Sequence, residues 1–354
     1  MDTRDRDAPT SAADALAVLV RIGYLLDRGL AEGYRVRAFE KGLAVVRALA
    51  PDELIERARC GRLTELPGIG DAIVRVLTEA VDGRVPEYLD KLERETAIGL
   101  STEGAAVREA LRGDCHTHST WSDGGASIED MAQTAATLGH EYVVATDHSG
   151  RLSVANGLNR HRLEAQLAEV DAANTRLREA GVPVRVLKGI EVDINEDGSL
   201  DADDDLLDTL DVVVASVHAK LRQDRQAMTE RMVLAAANPL VDVLGHCTGR
   251  KVTGKGRSGV DADFDLVFAA CARFDTAVEI NCRPERLDPP RALLARALEI
   301  GCRFVVSTDA HACGQMEWQP YGCDRAAEMG VPLDRIVNTW NADELLAWTG
   351  SHRP

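Results

Sequence analysis

"GDCHTHSTWSDG" (residues 113–124) sets two histidines one residue apart and an aspartate five residues after the second. Side chains at i and i+2 of a strand share a face. His116 and His118 are therefore expected to point the same way, and Cys115 the other way. Two imidazoles beside acids make either a metal clamp or a merely polar strand end. The rest of the chain decides between these, by whether the pattern returns.

It does return. The apolar, β-branched runs EYVVATDHS, VRVLKGIEVDI, DVVVASVHA, VDVLGHCTG, TAVEINCRP and RFVVSTDAHA follow. Each ends in donor atoms: His148, Glu191, His218, His246, Glu279 with Asn281, and Asp309 with His311. Their spacing is close to one βα unit, and helical stretches such as IEDMAQTAATLG and RALLARALEIG lie between them. Apolar strands alternating with helices predict a parallel sheet covered on both faces. Counting the first run, there are seven units. They predict an α/β chain closed into a seven-stranded (β/α)7 TIM-like barrel, with a doubly wound open sheet as the alternative.

In a parallel barrel the strand ends converge on one face. Of the nine histidines, only His140, His161 and His352 lie away from strand ends. A single histidine at a strand end is ordinary. Six of them, joined by Asp123, Glu191 and Asp309, predict a metal centre. That many donors exceed the needs of one ion and suit two or three divalent ions (Zn, Mn or Fe) sharing an acid. Paired ions suit phosphate ester hydrolysis. Cys313, beyond the DAH triplet, is expected to pack rather than ligate.

Composition narrows the class. The net charge of −17 argues against a nucleic-acid coat protein, though not against a nucleic-acid substrate. Residues 1–100 carry only −3 of it and the histidine-rich remainder −14. Against that background, basic residues cluster after three strand ends: Lys220, Arg222 and Arg225; Arg250, Lys251, Lys255 and Arg257; Arg283, Arg286 and Arg291. Together they suggest a rim for an anionic substrate. Lys220 and Arg250 are expected to be its phosphate contacts. The eight cysteines form no CxxC pair, which predicts free thiols and a cytoplasmic location. No apolar run reaches membrane-span length, so no membrane partner is expected.

The start of the chain reads differently. Residues 1–11 are expected to form a frayed tail. Residues 12–95 show helical spacing, interrupted by "LTELPGIGDAIVRVLTEAVDG" (63–83), where Pro67 ends one element and Gly68 and Gly70 permit a tight turn. Residues 96–110 are expected to be a linker.

The set HTH (116–118), Asp123, TDH (146–148), GIEVDI (189–194), SVH (216–218), GH (245–246) and TDAH (308–311) resembles the polymerase-and-histidinol-phosphatase (PHP) domain, over essentially all of 111–350. The resemblance implies a distorted seven-stranded barrel, with all nine ligand positions filled. One ion would take His116, His118, Glu191 and Asp309. A second would share Glu191 and take His218 and His246. A third would take Asp123, His148 and His311. An ion-activated hydroxide near Glu191 would attack, with phosphate oxygens on the ions, Lys220 and Arg250.

Residues 12–95, through YRVRAF and RLTELPGIG, resemble the small all-α helix-hairpin-helix domain of bacterial X-family DNA polymerases. The resemblance implies that backbone amides of Gly68, Ile69 and Gly70 hold a DNA phosphate without reading sequence. The chain departs from that pattern in having Asp71 and Ala72 where lysine is common, and Val76 at the position of the lyase lysine. Modest DNA affinity and no deoxyribose-phosphate lyase activity are therefore expected. No nucleotidyltransferase domain fits between the two regions, and DGSLDADDD (197–205) reads as an acidic loop, so no polymerase activity is expected. The expected function is metal-dependent hydrolysis at DNA ends: a 3′–5′ exonuclease or 3′-end-processing repair enzyme. The alternatives are a small-molecule phosphatase (histidinol phosphatase-like or nucleotide phosphatase) and a non-catalytic DNA-end or protein-binding module.

Overall fold

A computed structural model describes residues 11–353, which divide into two compact units at Ala97/Ile98. The expected tail lies outside the described residues except for Ser11. That residue caps α1 (Ala12–Arg28) in a reciprocal box with Asp14.

The first unit continues with α2 (Gly33–Arg47), α3 (Pro51–Arg59), α4 (Asp71–Val81) and α5 (Glu87–Glu95). One apolar cluster holds these helices together, including Leu19, Ile22, Leu26, Phe39, Leu63 and Leu77. Arg21 grips Glu93 with Nε at 2.8 Å and Nη2 at 3.0 Å, tying α1 to α5. Between α3 and α4 the chain turns through Gly68 at φ +90°, which only glycine adopts without strain.

The second unit opens with α6 (Thr102–Ala110), inside the stretch expected to be a linker. Ser101 caps α6, and its amide and hydroxyl both donate to Asp324 Oδ1, at 3.0 and 2.7 Å. The barrel follows: β1 (Gly113–Thr117), α7 (Ile128–Thr137), β2 (Tyr142–Ala145), α8 (Arg160–Glu179), β3 (Arg185–Asp193), α9 (Asp204–Leu207) and β4 (Val212–Ser216). Then come α10 (Arg225–Ala236), β5 (Val243–Leu244), α11 (Phe264–Phe274), β6 (Ala277–Asn281), α12 (Arg291–Ile300), β7 (Phe304–Ser307), α13 (Gln319–Glu328) and α14 (Ala342–Gly350). α6 packs on α13 and so belongs to this unit.

The strands pair in parallel in the order β1 to β7. β1 meets β7 through the Thr117–Ala310 bridge, with His118 N donating to Ala310 O at 2.8 Å and Asp309 N to His116 O at 3.0 Å. The seven-stranded barrel expected from the sequence is thus formed. Its interior is filled by Tyr142, Leu187, Val214, Val243, Ala277 and Val305. Leu345 and Trp348 of α14 join that cluster and stopper the N-terminal end. The outward faces of the strands pack under the helices. No helix among the described residues is long and apolar enough to cross a membrane.

Cys115 packs with the inward-facing residues of the barrel, although His116 also turns inward. The register shifts between Asp114 and Thr117. An irregularity of this kind breaks strict alternation and lets neighbours share a side.

Candidate metal centre

The nine sequence-predicted donors meet at the C-terminal end of the barrel. Glu191, on β3 and fully buried, is their hub. Its Oε2 lies 3.5 Å from His116 Nε2, 3.7 Å from His118 Nε2 and 2.7 Å from His148 Nδ1. Its Oε1 faces the other way, 3.3 Å from His218 Nε2 and 2.8 Å from His246 Nε2. Asp309 Oδ1 stands 3.5 Å from His118 Nε2. Asp123 Oδ1 lies 3.6 Å from His148 Nε2 and 3.4 Å from His311 Nε2. Asp123 is the most exposed of the nine.

The donor atoms are short of partners. Among the described residues, His116 Nε2, both ring nitrogens of His118, His218 Nε2, both of His246 and both Glu191 carboxylate oxygens are buried without a hydrogen bond. Orphaned buried polar atoms are costly, and here they face one another. Three overlapping groups have the spacing of ion ligands: His116, His118 and Glu191; His148, Glu191 and His218; His118, Asp123, His148 and His311. The donor set fits divalent cations.

Burial would lower the pKa of His116 and His218, but Glu279 and Glu191 raise the first, and Glu191 and Asp193 bring the second to about 9. Burial lowers the pKa of His118, of His246 (where Arg286 adds to it) and, further still, of His311 beside His118 and Arg283. These shifts favour the neutral ring, the form a ligand needs. Burial would raise the pKa of Glu191, but the imidazoles of His218, His116 and His148 outweigh it and hold the carboxyl well below its usual range.

A second set of residues aims the donors. Glu279 Oε1 takes His116 Nδ1 at 2.7 Å, which leaves Nε2 free toward Glu191. Its Oε2 accepts from His246 N at 2.6 Å and from Asn281 Nδ2 at 3.1 Å. Asp193 does the same for His218, at 3.3 Å from Nδ1. Asp147 accepts from the amides of Ser119 and Ser122, from both their hydroxyls and from Gln166 Nε2, and so fixes the loop that carries Asp123. Asp309 at φ +56° and His246 at φ +21° occupy strained backbone, as functional positions often do.

The remaining predicted residues are placed differently. Arg250 turns its guanidinium away, Nε donating to Arg286 O at 3.0 Å and Nη2 to Leu287 O. Lys220 is exposed and its side chain joins no ion pair among the described residues. The cations beside the donors are Arg286, with Nε 3.2 Å from Asp309 Oδ2, and Arg283, with Nη1 3.0 Å from His311 Nδ1. In the first unit, Gly68 and Gly70 are exposed. The Ile69 side chain is buried, and its amide is spent on Leu66 O at 3.2 Å. Val76 is buried in that unit's core.

Residues 114–281 match the family model described as the PHP domain. A DNA polymerase/3′-5′ exonuclease named PolX, from Bacillus subtilis (strain 168), is 37% identical over 238 residues, which are 67% of this chain and 41% of that relative. The chain thus spans under half the length of that relative. A "Probable phosphatase" from Thermoanaerobacter sp. (strain X514) is 27% identical over 64% of this chain and 89% of its own length. A solved structure of histidinol phosphate phosphatase from Lactococcus lactis subsp. lactis, complexed with Zn, L-histidinol and phosphate, superposes at TM-score 0.43 and 17% identity, over 61% of this chain and 94% of its own.

Proposed function

We propose that the chain is a metal-dependent phosphate ester hydrolase whose PHP domain trims the 3′ ends of DNA. The observation that carries the hydrolase reading is the division of Glu191. Its two oxygens face separate histidine sets at 2.7–3.7 Å, the arrangement of an acid shared between ions. His116, His118, Glu191 and Asp309 would hold one ion, Glu191, His218 and His246 a second, and Asp123, His148 and His311 a third. Zinc, manganese or iron suits these donors. When bound, such ions lower the pKa of a water and place positive charge beside a phosphate oxygen.

The chain's own residues do the rest. Glu279 and Asp193 lock the tautomers of His116 and His218. Arg286, half-buried against Asp309, and Arg283 offer fixed positive charge at the rim for a phosphate oxygen. They take the role that Lys220 and Arg250 were expected to fill. The DNA-end reading is supported by the PolX relative, whose name includes 3′-5′ exonuclease. It is also supported by the first unit, where an exposed Gly68–Gly70 turn precedes α4. We propose that this unit is a helix-hairpin-helix module and holds the DNA modestly and without sequence preference.

The test is 3′-labelled DNA with manganese. Release of label, abolished by His116→Ala and Asp309→Ala with the fold intact by circular dichroism, supports the reading. Intact label on protein with confirmed bound metal overturns it. A second reading, a small-ester phosphatase, is favoured by the relative named phosphatase, most of whose length this chain matches. It predicts turnover of L-histidinol phosphate or nucleoside monophosphates that survives deletion of residues 1–97.

A further inference from the structure

Charge around the mouth of the barrel is divided by loop. Residues 196–205, after β3, hold six acids and no base, whereas residues 246–259, after β5, hold four bases and no acid. Elsewhere in the second unit most surface arginines are neutralised, among them Arg160 by Asp203, Asp205 and Glu164, Arg176 by Glu129 and Glu169, and Arg296 by Asp265 and Glu299. The exposed Lys220, Arg222, Lys251 and Lys255 join no ion pair among the described residues. In a chain with 58 acids and 41 bases, four bare cations on adjoining loops are a departure from its general habit.

These charges are also held in place. Lys251 and Arg257 pair across a small hairpin, with amides donating in both directions at 2.9 and 2.8 Å. Arg257 Nε donates to Gly249 O at 2.9 Å and so closes the base of the hairpin. Val252 N donates to Glu285 O at 2.7 Å, docking the hairpin on the loop that carries Arg283 and Arg286. On the other side a Cβ at Gly249 would meet Leu221 at 3.3 Å, so the loop after β4 abuts it. Arg257 serves the base of the hairpin, Arg250 is spent on the carbonyls of Arg286 and Leu287, and the two lysines are left outward. A fixed, unneutralised wall of this kind suits a polyanion, and the acidic loop after β3 repels one.

We propose that the hairpin 250–257 binds the backbone phosphates of a DNA strand upstream of the scissile bond, so that the strand leaves the metal centre over β5 and away from the acidic loop after β3. This rests on the DNA-end reading above and adds to it a path for the chain and a length requirement. A dinucleotide has one phosphate, which the metal centre takes, leaving none for the hairpin. A longer strand has phosphates for both.

The experiment compares wild type with Lys251→Ala/Lys255→Ala on a single-stranded 20-mer and on thymidylyl-thymidine, with manganese, across salt concentrations. The expected result is a rise of about tenfold in KM for the 20-mer and a salt slope smaller by about 1.4, two lost phosphate contacts at roughly 0.7 each. The dinucleotide should change less than twofold. Equal kinetics of the two proteins on the 20-mer, or equal losses on both substrates, would overturn the hairpin proposal while leaving the DNA-end reading in place. A wild-type protein that hydrolyses p-nitrophenyl phosphate but leaves both DNA substrates intact would overturn both.

Discussion

Glu279 Oε1 lies 2.7 Å from Nδ1 of His116, and neither side chain is exposed to solvent. A carboxylate on one imidazole nitrogen fixes the tautomer and presents the other nitrogen as a ligand. Glu279→Gln keeps the volume but removes the charge. It should lower metal affinity by about 10- to 100-fold, read by competition against a chromophoric chelator, with little change in the far-ultraviolet spectrum.

Among the described residues the carboxylate of Asp147 bonds to no predicted ion donor, yet it gathers five donors from Ser119, Ser122 and Gln166. Asp147→Ala would leave those groups buried without a partner. A loss of about 3 kcal/mol in urea unfolding is expected. Metal content should also fall, because the loop carrying Asp123 loses its anchor. Unchanged stoichiometry by elemental analysis would contradict this.

Gly189 sits in β3, two residues before Glu191. A Cβ there would come within 2.6 Å of Val144 Cγ1 and 2.8 Å of Val212 O. Backbone cannot yield as a flexible side chain can. Gly189→Ala should cost about 1–3 kcal/mol through overpacking and lower the midpoint of thermal unfolding, even though alanine normally strengthens a strand relative to glycine.

His352 supplies a pH dependence remote from the metal donors. Burial works against its charged form, but Asp242 (3.2 Å from Nδ1) and Asp275 (3.7 Å from Nε2) prevail and raise its pKa to about 9. A raised folded-state pKa means that the stabilisation is fully present below the ordinary value near 6.5 and is lost as pH rises through about 9. Between those limits the unfolding free energy should fall with pH. His352→Gln should flatten the decline, as measured by urea titrations at intervals of one pH unit.

Chelation tests the centre as a whole. Ligands that bind the folded chain alone stabilise it by mass action, about 2.7 kcal/mol for each ion at a hundredfold excess over its Kd. Stripping metal should therefore lower the thermal midpoint, and readdition of manganese or zinc should restore it. A midpoint indifferent to metal would count against a built ion site.

The barrel and the convergence of its donors were legible because the signal is repetitive. Val-rich runs end in histidine or acid at βα spacing, and parallel topology brings such ends to one face. What escaped was direction. His116 and His118 point together as expected, but Cys115 joins them on the inside because β1 is irregular between Asp114 and Thr117. Arg250 follows a donor histidine closely in sequence, yet a turn with Leu287 at φ +43° supplies carbonyls that capture its guanidinium. Arg286, farther from any donor in sequence, reaches Asp309 instead. α6 was hidden by its length: nine residues with few apolar positions resemble a connector until α13 is seen beneath them. Of the partners of Asp147, Ser122 lies 25 residues away beyond a different strand and Gln166 lies on α8, pairings that no local pattern encodes.

The barrel is stoppered at its N-terminal end. Trp348 and Leu345 reach into its interior, and Trp348 Nε1 is pinned to Asp275 Oδ2 at 2.9 Å. With a packed interior and that end shut, nothing can approach Glu191 from below. Arrival and departure alike belong to the loop-bearing side, so the loops alone govern traffic at the donors.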